Sequence, residues 1–342
     1  MKTLVTGAGG LIGSAVVRAL IEDGHEVKAM ILPGEDTRNI KGLDLEIVEG
    51  DILDRPSLDR TLQGCSRLYQ LAAIYRHWHP KGGAFIRQVN IDGTRNILDA
   101  ALNCDLEKVV YTSSVSSLGF FPGRLSTESD FPDPKDCKRQ PYRESKYMSE
   151  MLAWTYKDKL PIVVVNPCSP IGLRDWVPTP TGRTILDFLN GKMFAYVDAG
   201  MNLIDVDDLA IGFVMADKRG HIGERYVLGN RNMFLKEMFA ELSVLSGLPA
   251  PTVKMPKAVV RIVAEISEFI ADNITRKEPL AAVEQALHLR YEEFVDCSKA
   301  VKELGLPQND IRIAMVKAIR YYIETGAVLP EKVTQIKLKE LN

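Results

Sequence analysis

The chain has 342 residues, 43 Lys plus Arg against 45 Asp plus Glu, a net charge of -2 and 46% hydrophobic residues. It is long enough to bury a full core, and with no long run of either sign it predicts neither a nucleic-acid surface nor an anionic-membrane surface. Its five cysteines, Cys65, Cys104, Cys137, Cys168 and Cys297, are scattered, odd in number and without a C-x-x-C pair, so a reduced intracellular protein is expected.

KTLVTG predicts a first strand, and no basic and apolar leader stands before it. A cytoplasmic protein without a secretory signal is therefore expected. LIGSAVVRALIEDG places Ile12, Ala15, Val16, Ala19 and Leu20 on one face of a 3.6-residue period that stops at Gly24, which predicts a helix, and HEVKAMI predicts the second strand. Further buried strands are expected at LDLEIVEGD, RLYQLAA, EKVVYTSS and PIVVVNP, with helices at Pro56–Leu62, Phe85–Leu102 and Tyr142–Tyr156. This alternation predicts an α/β fold, a doubly wound parallel sheet whose ligands bind beyond the carboxyl ends of its strands.

After Asn166 the pattern loosens through Pro170, Gly172, Pro178, Pro180, Gly182 and Gly191, followed by a helix near Asp207–Asp217, a strand at ERYVLGN and helices to about Ala327. The expected division is a dinucleotide-binding unit over 1–169, receiving later strands and helices from about 202–230, and a mainly substrate-binding lobe over 170–342. Within that lobe, Val259, Ile262, Val263, Ile266, Phe269 and Ile270 form a helical stripe. Arg261, Glu265, Glu268 and Asp272 interrupt Ala258–Ile274, so it should not span a bilayer. Packing in the lobe's core is expected, with a lid or membrane-surface face as the sharper alternative.

TGAGGLIG, Thr6–Gly13, does not carry the G-x-G-x-x-G spacing, because position 12 is Ile12; its regular series is Gly7, Gly10 and Gly13. A strand feeding glycines into a helix suits a phosphate, since unpaired N–H groups and the positive helix end face the anion. Gly7 would take a tight turn, Gly10 would let the backbone approach a pyrophosphate, and Gly13 would let the helix pack on the strand. No G-K-[ST] ending follows, which disfavours a P-loop. The second strand ends Met30, Ile31, Leu32, Pro33 without an acidic group for an adenosine ribose. Asp36 suits ribose hydroxyls and Arg38 a 2′-phosphate, leaving NAD and NADP both open.

PYRESKYMSE sets Tyr142 and Lys146 one helical turn apart, about 6 Å along the axis. A phenol working near neutrality needs its pKa lowered by about three units, worth about 4 kcal/mol, and a nearby ammonium together with a positively charged nicotinamide is the right kind of perturbation. EKVVYTSS ends in Ser113 and Ser114. Ser114 could hydrogen-bond a substrate carbonyl or cap the next segment.

Together T-G-x-x-G-x-x-G, Asp51 in GDI, LAA at Leu71–Ala73, N-x-x-G-T-x-N at Asn90–Asn96, Y-T-S-S, Y-x-x-x-K and the Asn166-Pro167 pair resemble an extended short-chain dehydrogenase/reductase. NLIDVDDLA, GERYVLGN and DCSKAVKELG extend the resemblance almost end to end. VNPCSPIGLRD and PTPTGRTILDFLNGKMFAYVD bring it nearest the branch of dihydroflavonol-4-reductase-like enzymes and hopanoid-associated sugar epimerases. The resemblance implies a Rossmann-type sheet in which Ser114 polarises the reacting carbonyl, Tyr142 exchanges the proton and Lys146 holds the nicotinamide ribose. It implies that Gly7, Gly10, Leu11, Ile12 and Gly13 hold the pyrophosphate and that Asp51 and Ile52 meet the adenine. Ala72, Ala73, Thr112 and Ser113 would line the cofactor, Pro167, Cys168 and Ser169 would lie near the carboxamide, and Asn90 would brace the site. Sugar dehydratases of the superfamily carry an Asp-Glu pair after the catalytic hydroxyl. Here Val115 and Ser116 stand there, so dehydration is not expected. Close relatives often have Arg where this chain has Leu32, so NAD is favoured over NADP. Many relatives form homodimers through two helices, here Phe85–Leu102 and Tyr142–Tyr156.

IYRHWHPKGG places Tyr75, Arg76, His77, Trp78 and His79 at the mouth of the site. His77 and His79 lack a third ligand nearby in sequence, so no metal is expected. Val115, Ser116 and Asn166 are further candidates for the substrate wall, faced by Arg174, Trp176, Thr179, Thr181, Arg183 and Tyr196. The arginines could grip a diphosphate or lie on the surface. The expected partner is a small molecule: a carbonyl compound, or a lipid-linked or nucleotide sugar. The expected activity is NAD(P)-dependent reduction of a ketone or aldehyde, or the reverse oxidation. A nucleotide-sugar epimerase is the alternative and a non-catalytic cofactor-binding regulator the lesser one.

Overall fold

The computed structural model describes residues 2–341. Its strands, in chain order, are β1 (Lys2–Thr6), β2 (Glu26–Ile31), β3 (Glu46–Glu49), β4 (Arg67–Gln70), β5 (Lys108–Thr112), β6 (Ile162–Pro167), β7 (Ser169–Ile171), β8 (Ala195–Tyr196), β9 (Gly200–Asp205), β10 (Arg225–Leu228), β11 (Arg231–Phe234) and β12 (Val253–Lys254). The helices are α1 (Leu11–Glu22), α2 (Arg55–Leu62), α3 (Gly83–Arg87), α4 (Gly93–Ala101), α5 (Pro141–Trp154), α6 (Pro180–Leu189), α7 (Val206–Arg219), α8 (Leu235–Ser246), α9 (Lys257–Ile270), α10 (Val283–His288), α11 (Ile311–Glu324) and α12 (Pro330–Val333).

Runs such as VVV at 163–165 are apolar on successive residues because both faces of their strands are covered. Seven strands form one parallel sheet in the order β10-β6-β5-β4-β1-β2-β3. On one face, Val16 and Leu20 of α1 meet Leu209 and Phe213 of α7 over Val163 and Val165. On the other, Leu58 and Leu62 of α2, Ile97 and Leu98 of α4 and Ala153 of α5 close over Val109 and Tyr111. Each fully buried Leu or Phe of these layers contributes about 1.5–3 kcal/mol. Strand order reverses between β1 and β4, which opens a crevice where the glycine segment and the loop after β4 leave the sheet.

Two local differences from the sequence reading have simple causes. β3 is not a buried strand: it is the sheet edge, with Glu46, Ile47 and Glu49 exposed. The helix expected at Phe85–Leu102 begins at Gly83 and carries a π-turn at Gln88–Asp92 between α3 and α4, an irregularity common at functional sites.

The remaining chain builds a second core from Ile185, Leu189, Phe239, Leu242, Met315, Ile319 and Tyr322, with small sheets β11-β9-β7 and β12-β8 beside it. β10 returns to the large sheet. The stripe on α9 does not enter this core: Ala264 alone of that helix is buried, and Ile262 and Phe269 are 59% and 63% exposed. Periodicity located an apolar face, but its position against solvent depends on how α9 docks. Among the described residues no helix is long and apolar enough to cross a membrane.

Candidate active site

The glycine segment has the geometry an anion needs. Gly7 takes φ +65°, and a Cβ there would lie 3.0 Å from the Ala72 backbone. A Cβ on Gly13 would lie 2.0 Å from the Gly7 carbonyl oxygen, so only glycine lets α1 start there. A Cβ on Gly10 meets only that same oxygen at 3.5 Å, leaving its outer side clear. No side chain caps α1 and no acid occupies its first turn. The N–H groups of Leu11, Ile12 and Gly13 thus have no partner within the helix. These features fit a dinucleotide pyrophosphate.

At the end of β2 lies an acid that sequence reading passed over. Glu35 accepts the Leu32 N–H at 2.9 Å, and a Cβ on Gly9 would stand 2.7 Å from its Oε1. The carboxylate therefore sits between the strand end and the glycine segment. Asp36 and Arg38, the residues singled out there, pair with each other, and the Arg38 guanidinium stacks 3.2 Å above the Trp176 ring. Trp176 thus has one face covered by Arg38 at this end. Asn39 donates to Gly9 O at 3.1 Å and Arg174 O at 3.0 Å, tying the segments together.

Along the crevice, Thr6 Oγ1 accepts from Leu71 N and Ala72 N, both at 3.0 Å, and fixes the segment leading to Ala73. Asp51 accepts the Leu53 N–H at 2.9 Å, with buried Ile52 between them. Asn90, in the π-turn, accepts from Ile74 N at 2.8 Å and donates to Ser145 Oγ at 2.8 Å, joining the loop after β4 to α5. Pro167 ends β6, Cys168 is buried with its N–H on Leu228 O, and Ser169 opens β7. Thr112 Oγ1 is buried without a protein partner, a further polar group fitted to a bound ligand.

Ser114, Tyr142 and Lys146 come together at the ends of β5 and α5. Ser114 caps a short 3-10 turn, Val115–Ser117, by accepting the Ser116 N–H at 3.1 Å. Capping uses only an oxygen lone pair, which leaves the O–H to donate, here beside the Tyr142 phenol. Burial pushes the Tyr142 phenol upward, with the Ser114 hydroxyl acting in the opposite sense. Lys146 Nζ donates to Thr112 O at 2.8 Å, and burial brings its pKa down to about 8, with Glu150 opposing.

Behind these groups runs a buried network. Glu150, wholly buried, accepts from Ser113 Oγ (2.5 Å), Ser117 Oγ (2.6 Å), Asn166 Nδ2 (2.9 Å) and Arg225 Nη1 (2.7 Å). Asn166 is also wholly buried and donates to Ser114 O. It braces the Ser114 turn through this donor, while its Oδ1 is buried without a protein partner. The signal for Glu150 was legible: Tyr142, Lys146 and Glu150 are spaced by four and share one helix face. Glu150→Ala is expected to cost about 3–5 kcal/mol in urea unfolding, since it strands the Arg225 charge, and Glu150→Gln less. An unshifted midpoint for the Ala variant would show that the network is dispensable.

The mouth is aromatic. The Tyr75 and His77 rings lie 5.0 and 5.7 Å from that of Tyr142, and Thr181 lies beside the Tyr75 phenol. Glu284 of α10 accepts the Tyr142 and Arg143 N–H groups at 3.0 and 2.8 Å, capping α5. His77 Nδ1 and His288 Nε2 approach the same carboxylate at 3.7 and 3.6 Å. Burial alone would raise Glu284, but His288 and His77 hold it down to about 2; burial would lower His288, but Glu293 and Glu284 carry it up to about 9. The three donors lie within 4.8 Å of one another, a spacing a metal ion could bridge. The sequence reading had paired His77 with His79, whose ring instead stacks on Phe85.

The other expected substrate residues are dispersed. Arg76 pairs with Glu278, and Trp78 donates to Asp272 at 2.8 Å. Arg174 is held by Asp207 at 2.5 Å, Arg183 is exposed on α6, and Thr179 caps that helix. Tyr196 packs on the second core.

A model of the NAD dependent epimerase/dehydratase family matches residues 3–229. The chain is 38% identical to a Synechocystis protein provisionally named dihydroflavonol 4-reductase, over 95% of each chain. It is 30% identical to sterol demethylase protein B of Methylococcus capsulatus, over 96% of this chain and 100% of the other. A crystal structure of a nucleoside-diphosphate-sugar epimerase from Pseudomonas aeruginosa matches with a TM-score of 0.80 at 26% identity, covering 96% of this chain and 99% of that one.

Proposed function

The chain belongs to the NAD dependent epimerase/dehydratase family as an extended short-chain dehydrogenase/reductase, and from that premise we propose that it reduces a ketone or aldehyde to the alcohol with NADH. A bound dinucleotide would supply the hydride for the carbonyl carbon. Tyr142 gives its phenolic proton to the carbonyl oxygen, and Ser114 donates a hydrogen bond to the same oxygen. Lys146, held by Thr112 O, would donate to the ribose hydroxyls of the dinucleotide and place its charge near the phenol. The first turn of α1 receives the pyrophosphate.

The observation that favours reduction over epimerisation is the aromatic mouth, where the Tyr75 and His77 rings lie against Tyr142, while two of the arginines that could grip a diphosphate, Arg76 and Arg174, pair with Glu278 and Asp207. The likeness to the Pseudomonas epimerase keeps the second reading testable. Incubation with NADH and a panel of carbonyls is expected to consume one cofactor per alcohol formed. Interconversion of nucleotide sugars without net cofactor consumption would replace the reductase by an epimerase.

A further inference from the structure

The face of α9 that the second core leaves uncovered continues beyond the helix. Ile274 and Leu280 are 71% and 89% exposed, and Val263, Ile266, Ile270, Ala271, Pro279 and Leu280 line an apolar groove of about 470 Å³. An exposed apolar surface this continuous marks a contact surface.

The charges around it are sorted. Every acid of the segment is engaged by the body of the protein: Glu265 by Arg139 at 2.8 Å, Glu268 by Val283 N at 2.5 Å, Asp272 by Trp78 Nε1 at 2.8 Å, and Glu278 by Arg76 at 3.7 Å. The cations stand at the two ends of the stripe. Lys257, Arg276 and Lys277 have no carboxylate within ion-pair distance among the described residues, and Arg261 only reaches Glu265 at 4.0 Å. The surface thus presents aliphatic and Phe side chains with basic residues at its ends, and two of its four acids, Glu265 and Glu278, are paired with cations of the body. We propose that α9 and the segment through Leu280 form a seat for an anionic lipid surface, lying in its headgroup region without crossing it. The whole-chain charge of -2 conceals this, because it does not show that Arg139 and Arg76 add two positive charges beside the segment.

The inference does not depend on the choice between reductase and epimerase. It concerns where the enzyme meets its substrate. The ties through Trp78 and Arg139 connect the seat to the loop after β4 and to the segment just before Tyr142, so docking would turn the mouth of the site towards the lipid.

The test is sedimentation of the full chain with vesicles. Most of the protein is expected to pellet with equimolar phosphatidylglycerol and phosphatidylcholine vesicles at low salt, and little with phosphatidylcholine alone. Ile262→Asp combined with Phe269→Asp should abolish pelleting while dinucleotide binding and the urea unfolding midpoint persist. As a conservative probe, Phe269→Trp should shift its emission to the blue on adding the mixed vesicles. Failure of the wild-type chain to pellet, equal pelleting of the double variant, or unshifted Trp emission would overturn the proposal. So would light scattering that shows this face holding two copies together, with the variant monomeric and vesicles ignored by both.

Discussion

Tyr142→Phe is expected to lower turnover roughly 10³-fold while dinucleotide binding is unchanged. The variant keeps the ring against Tyr75 and His77 and loses only the proton. Sequence reasoning asked for a phenol depressed by an ammonium together with a positively charged nicotinamide, and the chain by itself supplies only the first. Burial instead pushes Tyr142 up, and the ammonium is turned to the Thr112 carbonyl. The phenol is therefore stored neutral, as an acid, which suits protonation of the alkoxide formed in reduction. Oxidation would first have to remove that proton and needs the full cationic field. Lys146 carries its charge below a pKa of about 8, so kcat/KM for reduction in the free enzyme should fall as pH rises through that value. Steady-state rates with titration of NADH fluorescence measure both halves of the prediction. A Phe variant with wild-type turnover would remove Tyr142 from the chemistry.

What could be read from the chain was what local rules control. Continuous apolar runs meant strands covered on both faces, and the series Gly7, Gly10, Gly13 marked positions where a Cβ meets backbone or blocks an approach. Helical spacing set Tyr142 and Lys146 on one face, and only their neighbours and the family resemblance singled them out. The rest depended on distant partners. His77 meets Glu284 and His288 across more than two hundred residues, and no spacing near His77 announces them. Asn166 stood at a strand end, the usual place for a ligand contact, yet Ser114, Ser117 and Glu150 take up its amide donor. The stripe on α9 shows the limit most plainly: period 3.6 finds an apolar face, and only docking decides whether that face meets a core or the outside.

The purified protein is expected to bind NADH about tenfold or more tightly than NADPH, and Glu35→Gln to narrow the gap chiefly by improving NADPH. Pro33 and Gly34 hid Glu35 from the sequence reading, because they move the acid off the strand end and into a turn. There it accepts the Leu32 N–H and approaches Gly9. A carboxylate in that place can accept both ribose hydroxyls of an adenosine. A 2′-phosphate would instead face a like charge at short range, with Arg38 already shared between Asp36 and Trp176. Leu32 offers no cation in compensation. The two dissociation constants, measured by calorimetry on the cofactor-free protein, separate this effect from catalysis, since Glu35 touches neither Tyr142 nor Lys146. Equal affinities in the wild-type chain, or a Glu35→Gln variant that weakens both cofactors alike, would show that the carboxylate only shapes the turn.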